Sequence, residues 1–282
     1  MTTTWTVSDV VTVMDRWYPP ETAQEGDKVG LIVGDPSREV RRVLIAVDPV
    51  AAVIDEAVSN EIDMIITHHP LYLRGVSFLP ESDPKGRVVA TLVRGECALF
   101  NAHTNADIAY RGVAHALADL LGLDRTQPLD PSGRDRDGRS VGLGRVGTID
   151  PVTLREFAQR VASALPAGPH GLFVGGDLES TVARVAVSGG AGDSLLEQAR
   201  ASGADVFVTA DLRHHPSSEH LEGGAPALIS GSHWATEWPW VPVLAQRLSE
   251  QAEADNVSVD ITASTMVTEP WTAHMQTTGG TQ

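Results

Sequence analysis

Three stretches of this sequence carry side chains of the kind that hold metal ions. His68 and His69 lie side by side in ITHHP, His103 stands four residues before Asp107 in NAHTNAD, and His233 stands four residues before Glu237 in GSHWATE. Each group follows an apolar run that reads as a strand, and in open α/β sheets ligands collect beyond the carboxyl ends of strands. Taken singly, each has a plainer alternative: a solvated histidine pair, an Asp107 that caps a helix starting near Ile108 or Gly112, a surface helix start at His233. Together they carry more weight, because two carboxylates such as Asp107 and Glu237 packed close would repel or take up protons unless a cation lay between them. The set His68, His69, Asp107, His233 and Glu237 offers nitrogen and oxygen and no sulfur, which suits Zn, Fe, Mn, Co or Ni. Five side chains exceed the needs of one tetrahedral zinc with an open position and fit two divalent ions, about 3.5–4 Å apart, sharing a bridging carboxylate and water. That is hydrolytic machinery, with Glu237, Asp107 or His103 as general base; a non-enzymatic scaffold or regulatory protein held together by the same ions is the alternative.

The elements that must position these groups follow from hydrophobic periodicity. A helix is expected from about residue 7 to Trp17, capped by Thr6 or Ser8, with Val10, Val13, Met14 and Trp17 on one face. Strands are expected at VGLIVG (29–34), RRVLIAVD (41–48), IDMIITHHP (62–70) and CALFNAHT (97–104), with helices at 51–61, 86–94 and 112–121. Apolar strands without alternation, separated by helices, predict parallel sheet covered on both faces. The same order recurs. RVLIAVDPVAAVIDEAVSNEIDMIITHH (42–69) lies over RVAVSGGAGDSLLEQARASGADVFVTAD (184–211) without a gap, so that Val43 meets Val185 and Thr67 meets Thr209. ALFNAHTNAD then matches ALISGSHWATE, each half ending in His-x-x-x-acid. The expected fold is therefore α/β, two related lobes facing each other around a dinuclear metal site. Lobes are expected at 1–124 and 141–268, able to pack as one domain, with a Pro/Gly/Asp/Arg-rich connector at 125–140 and a polar tail at 269–282.

Other polar residues fall near the same strand ends. Asp211 and His215 stand at the second repeat's counterpart of His68–His69 and are expected to contact substrate or support the ligands, as is Trp234, which could wall a nucleotide pocket. His103 is expected to orient Asp107 rather than bind metal itself. His214 is expected to line the same cleft, with a surface position as the plainer alternative for it and for His220, and His115, His170 and His274 read as structural or solvated. The Gly-rich turn SGGAGDS (188–194) fits neither the phosphate-loop nor the dinucleotide pattern and reads as a structural turn.

Composition limits the partners. With 21 Lys and Arg against 37 Asp and Glu, the net charge of −16 disfavours nucleic acid. The single Cys97, set in the apolar ECALF, reads as a small buried hydrophobe and fits a reducing, cytoplasmic setting. No signal-peptide pattern opens the sequence, and no apolar run approaches the roughly 18 residues of a membrane span.

Over nearly its whole length the sequence resembles the NGG-one-interacting-factor-like family of dinuclear metal-binding proteins, also known as GTP cyclohydrolase 1 type 2 homologues. The resemblance rests on DKVGLIVGDP (27–36), ITHHPL (66–71), NAHTNAD (101–107), GLGRVG (142–147), the 186–215 segment, GSHWATE (231–237) and EPW (269–271). It implies that His68, His69, Asp107, His233 and Glu237 are metal ligands, that two similar α/β lobes enclose them, and that the chain forms a homohexamer. A small-molecule substrate, a nucleotide such as GTP, is the implied partner. Lys28 departs from the pattern, since relatives usually carry Asn there.

Overall fold

The computed structural model describes residues 4–277; positions 278–282 of the expected tail lie outside the described residues. The first half contains β1 (Trp5–Thr6), α1 (Val7–Trp17), β2 (Gly30–Val33), β3 (Glu39–Val40), β4 (Arg42–Ala46), α2 (Ala51–Ser59), β5 (Met64–Thr67), α3 (Pro84–Arg94), β6 (Ala98–Asn101), α4 (Thr104–Ile108) and α5 (Val113–Leu120). The second contains β7 (Asp124–Arg134), β8 (Ser140–Thr153), α6 (Leu154–Ala164), β9 (Phe173–Gly175), β10 (Thr181–Ala191), α7 (Leu196–Ala201), β11 (Val206–Ala210), α8 (His214–Glu222), β12 (Ala227–Gly231), α9 (His233–Glu237), α10 (Trp240–Ala254) and β13 (Asp260–Ala263).

Two large sheets result, in the orders β13-β4-β5-β6-β2 and β7-β8-β10-β11-β12-β9, and β1 pairs with β3 in a small antiparallel sheet of its own. At the centre of each large sheet is a parallel triple, β4-β5-β6 and β10-β11-β12, whose strands are apolar on both faces because both faces are covered. Beside the third strand of each triple runs an antiparallel edge, β2 against β6 and β9 against β12. The lobes are related in detail. Asp63 accepts hydrogen bonds from the backbone N–H groups of Arg41 and Arg42, and Asp205 accepts them from Ala183 and Arg184. Gly34 and Gly176 share a positive φ (126° and 132°), and a Cβ there would lie 2.6 Å from the Ala98 Cβ and 2.8 Å from the Ala227 Cβ respectively. The repeat thus begins at the edge strands, earlier than the aligned sequences suggested.

A single apolar cluster joins Val43, Ile45 and Phe100 of the first sheet to Val185, Val187 and Ile229 of the second, with Trp240, Leu244 and Leu248 of α10 among them. The expected boundaries change in two places. The stretch 125–140 is not a connector without secondary structure: most of it is β7, paired antiparallel with β8, with register shifts between Asp124 and Gln127 and between Pro131 and Gly133. Pro128 and Pro131 are tolerated because β7 is the outermost strand of its sheet, where no neighbour needs their missing N–H. Residues 260–263, expected in the second lobe, return as β13 to pair in parallel with β4 of the first sheet. Among the described residues no helix is long and apolar enough to cross a membrane.

Candidate metal centre

The carboxyl ends of the two parallel triples point at each other. After β5 the ladder continues for two residues, with His68 N–H donating to Ala46 and His69 N–H to Val47, and this delivers both imidazoles to the inter-lobe cleft. His103 follows β6 and opens α4, whose first turn carries Asp107. In the other lobe Ser232 follows β12 and caps α9 by accepting from the Ala235 N–H (3.0 Å). The one-turn spacing of that helix sets His233 Nε2 2.9 Å from Glu237 Oε1. The lobes meet where His69 Nε2 lies 3.2 Å from His233 Nε2 and 3.0 Å from Glu237 Oε2. His68 Nε2 is 3.5 Å from Glu237 Oε1 and 3.7 Å from Asp107 Oδ1.

All four imidazoles are tied by Nδ1 to an acceptor. His68 donates to the Ala102 carbonyl (2.9 Å), His69 to Asp48 (2.6 Å), His103 to Asp27 (3.0 Å) and His233 to Asp211 (2.6 Å). A neutral imidazole that gives its proton at Nδ1 presents a lone pair at Nε2. The arrangement therefore turns nitrogen lone pairs and the oxygens of Glu237 toward a common centre. His68 Nε2 is buried there without any hydrogen-bond partner, and an orphaned buried polar atom is costly. Two overlapping donor groups, His68–His69–His103 and His69–His233–Glu237, each have their ligand atoms within 4.8 Å of one another. Carboxylates behind histidines are how proteins orient metal-binding imidazoles, so the chemistry and placement of these donors fit a metal ion.

With protons as its only cations, the cluster is strongly perturbed. Burial alone would lower the pKa of His69, but Glu237 and Asp48 raise it to about 11. His233 is raised to about 9 against burial by Glu237 and Asp211. Burial would lift Glu237, yet the surrounding imidazoles hold it well below the usual carboxylate range. Burial, aided by the charge of Glu237, pushes Asp107 up to about 6.

Glycine completes the site. Gly190, at φ 65° in the turn 188–194, approaches so closely that a Cβ would fall 2.3 Å from Glu237 Oε1 and 3.1 Å from His233 Nε2. The turn thus has a role at the site that its motif did not reveal. A cavity of about 850 Å³ opens beside the cluster, lined by His69, His103, Asp211, His233, Trp234 and, from the C-terminal segment, Trp271 among others. Thr268 of that segment donates a short hydrogen bond to Asp48.

Other expected residues fall differently. His103 is held by Asp27 and does not orient Asp107; its ring instead lies with those of His68 and His69. His214 and His215 are exposed at the start of α8, their rings edge to face, outside the cleft, because the chain turns away after Asp211. His220, read as a surface residue, is 5% exposed and bonded to the Pro226 carbonyl. His170 reaches the cavity wall. Cys97 is buried, and burial pushes its thiol pKa up to about 12. Nothing in the spacing of the histidine motifs points to Asp48 and Asp27 as imidazole supports; the position of Asp48 in VDP, just past a strand of the repeat, is a local hint.

A two-lobed α/β chain with a buried histidine–carboxylate cluster between the strand ends is thus defined. The family model for DUF34/NIF3 (NGG1p interacting factor 3) matches residues 5–270, and the chain belongs to that family. A Streptomyces coelicolor protein named GTP cyclohydrolase 1 type 2 homolog is 50% identical over 270 residues, spanning 95% of this chain and 94% of that protein. Among solved structures, a Bacillus cereus protein related to NIF3 superposes with TM-score 0.88 at 25% identity, covering 95% of this chain and 99% of that one. A hypothetical protein of Staphylococcus aureus gives TM-score 0.88 at 28% identity with the same coverage.

Proposed function

We propose that the chain is a cytoplasmic metal-dependent hydrolase of a small, nucleotide-sized substrate, its two divalent ions held by His68, His69, Asp107, His233 and Glu237, with His103 as a further donor. What carries this is the convergence of Nε2 lone pairs on Glu237, with His68 Nε2 buried without a hydrogen-bond partner and Glu237 Oε2 facing His69 Nε2 at 3.0 Å. Divalent ions in such a site supply Lewis-acid polarisation and a water acidic enough to be deprotonated near neutral pH. The protein's own part is threefold. Asp48, Asp211 and Asp27 fix the imidazole tautomers through Nδ1. Asp107 and Glu237 provide carboxylate oxygens able to hold or hand on a proton. The adjoining cavity, about 850 Å³ with Trp234 and Trp271 in its walls, has room for a heterocycle and its substituents. The names of the relatives favour GTP as the first substrate to try. A homohexamer belongs to the same proposal, supported by Leu73, Phe78 and Leu79, which stand 71%, 85% and 49% exposed and call for a covering surface.

A scaffold reading has its own support, since His69 and His233 come from opposite lobes and an ion between them would staple the lobes together. The test is turnover of GTP and a panel of nucleotides and phosphoesters by the purified protein. Activity that disappears on chelation and returns with metal supports the hydrolase. Bound metal that raises Tm, with no turnover across the panel, supports the scaffold and refutes the hydrolase.

A further inference from the structure

A second cavity, of about 910 Å³, shares no lining residue with the cleft and lies between the end of α1, the segment following α4, the turn joining β7 to β8, and α10. Six arginines line it, Arg16, Arg111, Arg134, Arg136, Arg139 and Arg247, in a chain whose net charge is −16. Four carboxylates, Glu21, Asp119, Asp135 and Asp137, also line it, which leaves positive charge in excess. Arg139 engages Asp137 at 2.6 Å and Asp135 at 3.5 Å. Among the described residues, Arg111, Arg136 and Arg247 pair with no carboxylate.

These guanidinium groups are presented rather than merely solvated. Arg247 lies 3.9 Å over the Trp17 ring, and its Nη1 is buried without a hydrogen-bond partner. Arg139 lies 4.7 Å over the Tyr110 ring. Stacking on an aromatic face fixes the guanidinium plane; Arg139 Nη1 is taken by Asp137 and Asp135, and its remaining N–H groups are those a ligand could use. Arg111 is held at φ 59°, with its carbonyl accepting from the Tyr18 hydroxyl at 3.3 Å. A left-handed backbone is unfavourable for a non-glycine residue, and such strain is found at binding sites. Burial lowers the pKa of Arg247, and the charges of Arg111 and Arg139, which line the same cavity, lower it further against the opposing effect of Tyr18.

We propose that this cavity is an anion site for a phosphorylated small molecule, whose phosphate sits among Arg111, Arg139 and Arg247. The guanidinium fork matches phosphate oxygens in pairs, a multiply charged group relieves the mutual repulsion, and the cavity has space beyond the phosphate for the rest of the ligand. The proposal is independent of the metal centre.

Calorimetric titration of the full-length protein with inorganic pyrophosphate tests it. Saturable binding is expected, weakening as salt rises and falling at least about tenfold in Arg111→Asn and in Arg139→Gln. Asn tolerates the left-handed backbone at position 111, so Tm should be unchanged in that variant and a folding defect is excluded. Because pyrophosphate also binds divalent ions, the titration is repeated on chelated protein and on Glu237→Ala, where the affinity should persist. Absence of saturable binding at millimolar pyrophosphate, equal affinity in the arginine variants, or loss of binding in Glu237→Ala alone would each overturn the proposal.

Discussion

Gly190→Ala separates the metal centre from the scaffold that carries it. An alanine Cβ at this position would lie 2.3 Å from Glu237 Oε1, and the backbone φ is 65°. The conformation costs alanine about 1–2 kcal/mol. The steric overlap is relieved when the carboxylate swings back by roughly 1 Å to reach ordinary contact distance, and a side-chain terminus can do this without moving the main chain. A site whose metal–ligand distances hold to about 0.2 Å does not keep a donor displaced that far. The expected result is a Tm lowered by only roughly 2–6 °C, with metal affinity reduced at least about tenfold, read by chelator competition and elemental analysis. Gly34→Ala is the control: its Cβ would meet Ala98 Cβ at 2.6 Å and Cα at 2.8 Å, main chain that cannot swing aside. It should cost more stability and leave metal per folded molecule unchanged. A Gly190→Ala protein that binds metal as tightly as the parent would refute the assignment of Glu237 as a ligand.

Asp48→Asn and Asp211→Asn should each weaken metal binding by about 10–100-fold with little change in Tm, because each releases an imidazole held at 2.6 Å; chelator competition measures this, and unchanged affinity would count against the tautomer argument. His69 and His233 have pKa values raised to about 11 and about 9 when protons are the only cations. Metal uptake near neutral pH should therefore release protons, and affinity should rise between pH 6.5 and 9, as calorimetry in buffers of different ionisation enthalpy would report. The sign for chelated protein is opposite: a raised imidazole pKa contributes stability that is present in full below about 6.5 and lost as pH rises through about 9 and then about 11. Its Tm should fall over that range, and a flat profile would contradict the coupling. Arg145, 2% exposed, donates to the carbonyls of Gly142, Gly144 and Ala109 at 2.7–2.8 Å. Arg145→Ala leaves those acceptors unmet and should cost about 3 kcal/mol, lowering Tm by roughly 6–10 °C; a shift under 2 °C would refute it.

The repeat was the most legible part of the fold, because residues fixed by backbone geometry kept their spacing: Asp63 and Asp205 bind the start of the preceding strand in the same way. The three histidine motifs were legible for the same reason, each sitting just past a strand whose apolar run is unbroken. What stayed hidden depended on contacts distant in sequence. His103 finds its acceptor in Asp27, 76 residues earlier, and nothing local distinguishes Asp27 from a solvated acid. Gly190 looked like any turn glycine until Glu237, from another element, was seen to occupy the space of its missing Cβ. The 125–140 stretch misled because prolines and charges that argue against a central strand are permitted on an outer one. His215 shows the limit of the repeat, since the chains diverge after Asp211 and carry it to the surface.

The central claim is that the inter-lobe cluster holds a pair of divalent ions. Anomalous diffraction from crystals of the metal-loaded protein, recorded above and below the absorption edge of the bound element, tests it most directly. Two peaks are predicted among His68, His69, Asp107, His233 and Glu237, each within bonding reach of at least one of the three imidazoles and of a carboxylate oxygen of Asp107 or Glu237. A map without peaks in that cluster, or with metal bound elsewhere on the chain, would contradict it.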